Sequence, residues 1–213
     1  MPRNKLRVFV SLGSCVLGLW LLSIAGCFKA EIKNLDSKGK SIICFGDSVT
    51  FGYGVKPGED FPSALGSMVS YPVINAGVDG DTSTAALRRI EKDVLEKDPF
   101  LVLVEFSGND FIKKLPRDET ARSINEIVER IQAKGAIVAV VDISAGFFMG
   151  EYRAILSKIA RDKGALFVPQ VLRGIITNPS MKSDFLHPNE SGYRIIAGRV
   201  HKAISPYLRR VRP

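Results

Sequence analysis

Five short stretches of the chain are apolar almost throughout: residues 41–45, 73–76, 101–106, 136–141 and 165–168. Between them the apolar residues recur at helical spacing. Residues 84–97 carry Leu87, Ile90, Val94 and Leu95, and Asp98-Pro99 stops them. Residues 120–134 place Ile124, Ile127, Val128 and Ile131 on one face and end at Gly135. Residues 152–163 carry Ile155, Leu156 and Ile159 and end at Gly164. Residues 61–69 and 189–208 complete the helical set. Strands that are apolar on both sides belong in a parallel sheet covered by helices on both faces. The pattern therefore predicts an α/β fold, a three-layer α/β/α sandwich around a mostly parallel five-stranded sheet, with the domain over residues 41–213. In such sheets reactive groups stand at the carboxyl ends of the strands.

The beginning of the chain follows a different pattern. Residues 1–7 hold Arg3, Lys5 and Arg7 and no acid, and residues 8–26 are apolar apart from Ser, Gly and Cys. These are the basic and apolar regions of an export signal. The run closes on Leu22-Ser23-Ile24-Ala25-Gly26-Cys27, which resembles the lipobox of bacterial lipoproteins. That resemblance implies cleavage after Gly26, lipidation of Cys27 and a membrane anchor of several acyl chains. An uncleaved membrane helix and an ordinary secretory signal are the alternatives. Phe28 stands where Asp would signal inner-membrane retention in some bacteria, so the outer membrane of a cell envelope is slightly favoured, with the domain outside the cytoplasm. Residues 27–40, polar from Glu31 to Lys40, are expected to be the lipidated end and a tether.

Composition narrows the function classes. The 213 residues suit one domain with a sizeable core. Without Arg3, Lys5 and Arg7 the formal charge falls from +8 to +5. The rest is spread in short pairs with no aromatic-interleaved basic stripe, so no nucleic-acid partner is expected. Cys15 leaves with the signal and Cys27 would be acylated. Cys44 is then the one thiol of the mature domain, and its apolar run Ile42-Ile43-Cys44-Phe45 makes it a buried, inert one.

The candidate chemistry sits where the strands end. Gly46-Asp47-Ser48 follows the first, Asn75-Ala76-Gly77 the second, and Ser107-Gly108-Asn109-Asp110 the third, while Asp184-Phe185-Leu186-His187-Pro188 precedes the last helix. Singly, each reads as turn or capping chemistry. A serine needs a base to become a nucleophile. There are two histidines, and His201 lies within the last predicted helix, which leaves His187. Asp184 lies three residues before it, so one turn can supply base and orienter together.

The four blocks, in this order and at these places, resemble the SGNH (GDSL) hydrolases over residues 41–208. Asn75-Ala76-Gly77-Val78-Asp79-Gly80-Asp81-Thr82 and His187-Pro188-Asn189 are similar to the branch of multifunctional thioesterases, lysophospholipases and arylesterases. The resemblance implies a flavodoxin-like fold and a serine hydrolase cleaving carboxylic esters or thioesters through an acyl-enzyme. Ser48, Asp184 and His187 would be its triad. The backbone N–H groups of Ser48 and Gly77 and the side-chain amide of Asn109 would form the oxyanion hole. The implied partner is a small acyl ester or a lipid such as a lysophospholipid, with no cofactor and no metal. In one place the sequence departs from the pattern: Ser107 stands where the third block begins with Gly, which strains the backbone if that position needs positive φ.

Rival readings fit less well. The elbow Gly-x-Ser-x-Gly of α/β-hydrolases is broken by Thr50, and no Gly-Lys-Ser/Thr follows Gly46–Gly54 to make a phosphate loop. A metal site from Asp47, Asp110, Asp184 and His187 lacks ligand spacing. An O-acetyl esterase of envelope glycans would use the same triad. A non-catalytic lipid- or glycan-binding lipoprotein would be expected to have lost Ser48 or His187. Phe111, Ile112, Leu115 and Phe147-Phe148-Met149 are candidates for an acyl channel.

Overall fold

A computed structural model describes residues 31–145 and 149–208. The expected signal, Cys27, Phe28, Phe147 and Phe148 lie outside the described residues. β1 (Ser41–Gly46), β2 (Val73–Gly77), β3 (Pro99–Glu105), β4 (Ile137–Val141) and β5 (Leu166–Val168) form one sheet in the order β2-β1-β3-β4-β5, every pair parallel. The pattern-based fold class is what the structure has. β1, β3 and β4 are buried at every position. Alternate residues of each feed two separate cores, as strand geometry requires. Ile42, Cys44, Leu101 and Leu103 pack with α2 (Phe61–Gly66) and α8 (Glu190–Ile204). Ile43, Phe45, Val102 and Val104 face α6 (Arg117–Ala133) and α7 (Gly150–Lys163) on the other side. Cys44 is buried, and that burial pushes its thiol up, out of reactive range.

Two short helices begin at the carboxyl edge, α1 (Ser48–Phe51) directly after β1 and α5 (Gly108–Ile112) after β3. Neither is long enough to show in the periodicity. The helix expected over 84–97 is broken into α3 (Ser83–Ala86), α4 (Ile90–Asp93) and a 3₁₀ turn at Leu95–Lys97. The reason is Arg89. It turns inward over the Phe45 ring, donates to the strand-end carbonyls of Gly46 and Ala76, and pairs with Asp81 and Asp93. The last helix stops at Ile204 rather than 208, because Pro206 cannot continue the ladder and a 3₁₀ turn takes over.

The segment expected as a tether is bound to the domain from Lys33 onward. Lys33 N–H donates to Gly164 O, Asn34 Nδ2 to Gln132 O and Ala136 O (both 2.9 Å), and Lys40 N–H to Asp98 O. Ile32 packs against the core that α8 covers. A polar sequence looked free because its hydrogen bonds go to backbone carbonyls, which leave no mark in composition. Asn34→Ala is therefore expected to cost about 1–2 kcal/mol, a fall in Tm of roughly 2–4 °C per kcal/mol. A change under ~0.5 kcal/mol in thermal unfolding, the level of an ordinary surface residue, would restore the tether reading.

Candidate active site

β1 ends at Gly46, and the chain turns at once into α1. Asp47 caps that helix, its Oδ1 accepting the Val49 N–H at 3.0 Å. Ser48 is thereby the first helical residue, and its own N–H has no partner within the protein among the described residues, as the first amides of a helix do not. The turn tolerates no side chain at Gly46, where a Cβ would lie 2.1 Å from Thr50 Oγ1 and 2.7 Å from Glu105 Oε2.

His187 arrives from the loop before α8, 139 residues away in sequence. Its Nε2 is 3.0 Å from Ser48 Oγ, and its Nδ1 is 2.8 Å from Asp184 Oδ2. Asp184 is fixed by its own turn, Oδ1 accepting the N–H groups of Leu186 and His187, both at 2.7 Å. Burial raises the Asp184 carboxyl, but the hydrogen bonds of the His187 ring, the His187 N–H and the Leu186 N–H outweigh it and hold the group below its ordinary range. The Tyr53 ring lies 4.5 Å from the imidazole centroid to centroid and is tilted against it. Three side chains expected to act together are thus in one hydrogen-bonded line.

The expected oxyanion donors are brought to the same edge but are not alike. Asn109 Nδ2 donates one hydrogen to Asp47 Oδ2 at 3.2 Å, which leaves the second for a ligand. Gly77 pairs in register with Gly46, but its N–H already donates to Asn75 Oδ1 at 2.9 Å. Gly77 makes room for α1, since a Cβ there would fall 2.1 Å from Phe51 N. Asn75 was not foreseen. Its Nδ2 reaches Phe51 O and Asp60 Oδ1, both at 3.3 Å, so it clasps the end of α1 to the cap of α2. A polar residue inside the short apolar run of β2 was the available sign. Asp110, weighed above as a metal ligand, is fully buried and accepts from the N–H and hydroxyl of Ser83, tying α5 to α3.

A family profile described as GDSL-like lipase/acylhydrolase matches residues 44–195, which include every residue of this site. The chain belongs to that family. Among curated relatives it is 26% identical over 176 residues to the thioesterase 1/protease 1/lysophospholipase L1 of Escherichia coli, covering 79% of this chain and 85% of that one. It is 22% identical over 198 residues to the esterase TesA of Pseudomonas aeruginosa, covering 88% and 98%. A crystal structure of TesA superposes with a TM-score of 0.72 over 79% of this chain and 99% of that one, at 23% identity.

Ser107 takes φ 149°, ψ −20°, a conformation that favours glycine. It is buried, and its Oγ has no hydrogen-bond partner among the described residues. Ser107→Gly removes both the strain and the orphan hydroxyl, against a loss of about 0.5–1 kcal/mol in chain entropy. The expected net effect is a gain on the order of 1 kcal/mol, read as a Tm rise of roughly 2–4 °C. A lowered Tm would show that the serine is accommodated without strain.

Proposed function

We propose that this protein is a serine esterase in which Ser48 attacks an acyl carbonyl, His187 takes the hydroxyl proton and later returns it to the leaving group, and Asp184 holds the imidazole. The observation that carries this reading is the continuous line Ser48–His187–Asp184 at 3.0 and 2.8 Å. The hydroxyl oxygen forms a bond to the carbonyl carbon as its proton passes to Nε2. Collapse of the tetrahedral intermediate expels the alcohol or thiol, protonated by His187. Water then repeats the sequence on the acyl-enzyme. The developing oxyanion is met by the free Ser48 N–H and the second Asn109 hydrogen, with Gly77 N–H joining once it leaves Asn75.

The acyl group is assigned to an open groove of about 880 Å³ two residues along α5 from Asn109, where Phe111, Leu115, Met149 and Tyr152 supply apolar surface and Lys114, Arg117, Asp118 and Glu151 a charged border. That volume suits a medium or long acyl chain, and relatives named thioesterase, lysophospholipase and arylesterase support ester or thioester substrates in general.

A second reading, an O-acetyl esterase of envelope glycans, draws on where the chain enters the domain. Cys27 is four residues from Glu31, a reach of at most about 14 Å. Residues 33–40 bind Asp98, Ala136 and Gly164, which precede β3, β4 and β5 at the amino edge of the sheet. Ser48 is at the carboxyl edge of a domain roughly 40 Å across. With Cys27 acylated in an envelope membrane, the site faces away from that bilayer, toward wall or soluble esters.

Purified protein assayed on p-nitrophenyl esters from acetate to palmitate, beside Ser48→Ala and Asn109→Ala, decides among these. Ser48→Ala is expected to lose at least about 10³-fold in kcat, and Asn109→Ala about 10²–10³-fold. A rising preference with chain length supports the acyl groove. Strict preference for acetate supports the glycan reading, and turnover by Ser48→Ala equal to that of the unmutated protein would end the serine mechanism.

A further inference from the structure

β3 is apolar until its last residue, Glu105, whose side chain is 1% exposed. Gly46 is its partner in register, so the next residue, Asp47, lies against it and is equally buried at 1%. Glu105 Oε2 accepts the Thr50 hydroxyl at 2.8 Å and the Asp47 N–H at 3.4 Å, while its Oε1 has no hydrogen-bond partner among the described residues. The Asp47 carboxylate accepts the Val49 N–H through Oδ1 and the Asn109 amide through Oδ2. Among the described residues neither acid has an ion pair. Arg89 reaches Gly46 O nearby, but Asp81 at 2.7 Å and Asp93 at 3.0 Å take up its charge. Two adjacent carboxyls sealed from water without a cation cannot both be ionised, so one proton stays with the pair.

We propose that Asp47 and Glu105 share one proton, carried by Glu105, and that this pair is a positioning device for the oxyanion donor Asn109. Asn109 is a neutral amide whose two ends differ little in shape. If it turned over, its oxygen would face the substrate and repel the oxyanion. A negative charge fixed on Asp47 Oδ2 accepts only the NH₂ end, so it locks the orientation that leaves one N–H for the intermediate. Glu105 keeps that charge on Asp47 and off itself. A proton on Glu105 also removes the cost of burying a second unpaired charge beside Asp47.

The titration behaviour agrees with this division. Burial raises Asp47 to about 6, against hydrogen bonds from Val49 and Glu105, the nearby His187 charge and the Asn109 amide, which favour its ionised form. Burial raises Glu105 well above the carboxylate range, and the charge on Asp47 raises it further. The other groups around the pair are neutral or already engaged. Tyr193 of α8 donates to Tyr53 O, and burial, with the nearby Asp47 charge, holds its proton on. Asp60 caps α2, and His187 faces Ser48. As pH rises, Glu105 gives up the shared proton. Two anions then oppose each other beneath Asn109 and the Ser48 turn. Both acids bind protons more tightly folded than unfolded, so their contribution to stability is fullest in acid and is lost as pH rises through about 6 and beyond.

The test compares Glu105→Gln and Glu105→Ala with the unmutated protein, measuring kcat and KM on one soluble ester and Tm across pH 5–10. The proposal rests on Ser48 as nucleophile, which Ser48→Ala tests separately in the same assay. Glutamine supplies a neutral donor that cannot ionise. It is expected to keep kcat within about threefold at neutral pH, and to hold both kcat and Tm at alkaline pH where the unmutated protein declines. Alanine is expected to lower kcat about tenfold or more with KM within twofold. An alkaline decline of kcat identical in Glu105→Gln and the unmutated protein would overturn the proposal, even if the alanine variant fails to fold. So would full kcat in folded Glu105→Ala.

Discussion

The crowding of backbone at the carboxyl end of β1 is the constraint on which the site depends. Gly46 and Gly77 pair in register, α1 starts immediately, and neither glycine has room for a Cβ. Because α1 presses on both, Ser48 is held at the sheet edge with its amide unpaired and its hydroxyl facing His187. A larger residue at either glycine would lever α1 away and move the hydroxyl out of line. The precision a nucleophile needs is thus supplied by close-packed backbone, which deforms less readily than side chains do.

Charge is handled in the same economical way. Behind the site the protein buries several acids and gives each a separate task. Asp110 ties α5 to α3 through Ser83, Asp81 and Asp93 hold Arg89 over the strand-end carbonyls, and Asp60 caps α2. Among the described residues only Asp47 and Glu105 lie together without a cation. Burial of unpaired charge is expensive, and this pair stands directly beneath the groups that face the substrate. Asp184 is the opposite case. It is partly exposed, saturated with hydrogen bonds from its own turn, and stays ionised to orient His187.

Membership of the GDSL-like lipase/acylhydrolase family fits this architecture, since a parallel sheet offers its strand ends as the places where reactive loops collect. The amino edge is tied down by residues 33–40, while the carboxyl edge carries Ser48 and His187 beside the Phe111 groove.

The sequence alone determined the fold class, because continuous apolar runs separated by 3.6-period segments admit few arrangements other than a covered parallel sheet. It also pointed to Ser48, Asp184 and His187, through the resemblance of its strand-end blocks to the SGNH hydrolases, which the one-turn spacing of Asp184 and His187 and the scarcity of alternative bases support. It marked Ser107 as out of place before its φ was known. Tertiary structure decided what depends on contacts between distant residues. The break at Arg89 follows from carbonyls 43 and 13 residues away. The occupied amide of Gly77, the docking of residues 33–40 and the pairing of Asp47 with Glu105 are of the same kind. Glu105 was in view as one charge at the end of an apolar strand. Its partner, 58 residues away, could be identified only once β1 and β3 were side by side, because periodicity reports which face a residue takes and not what it meets there.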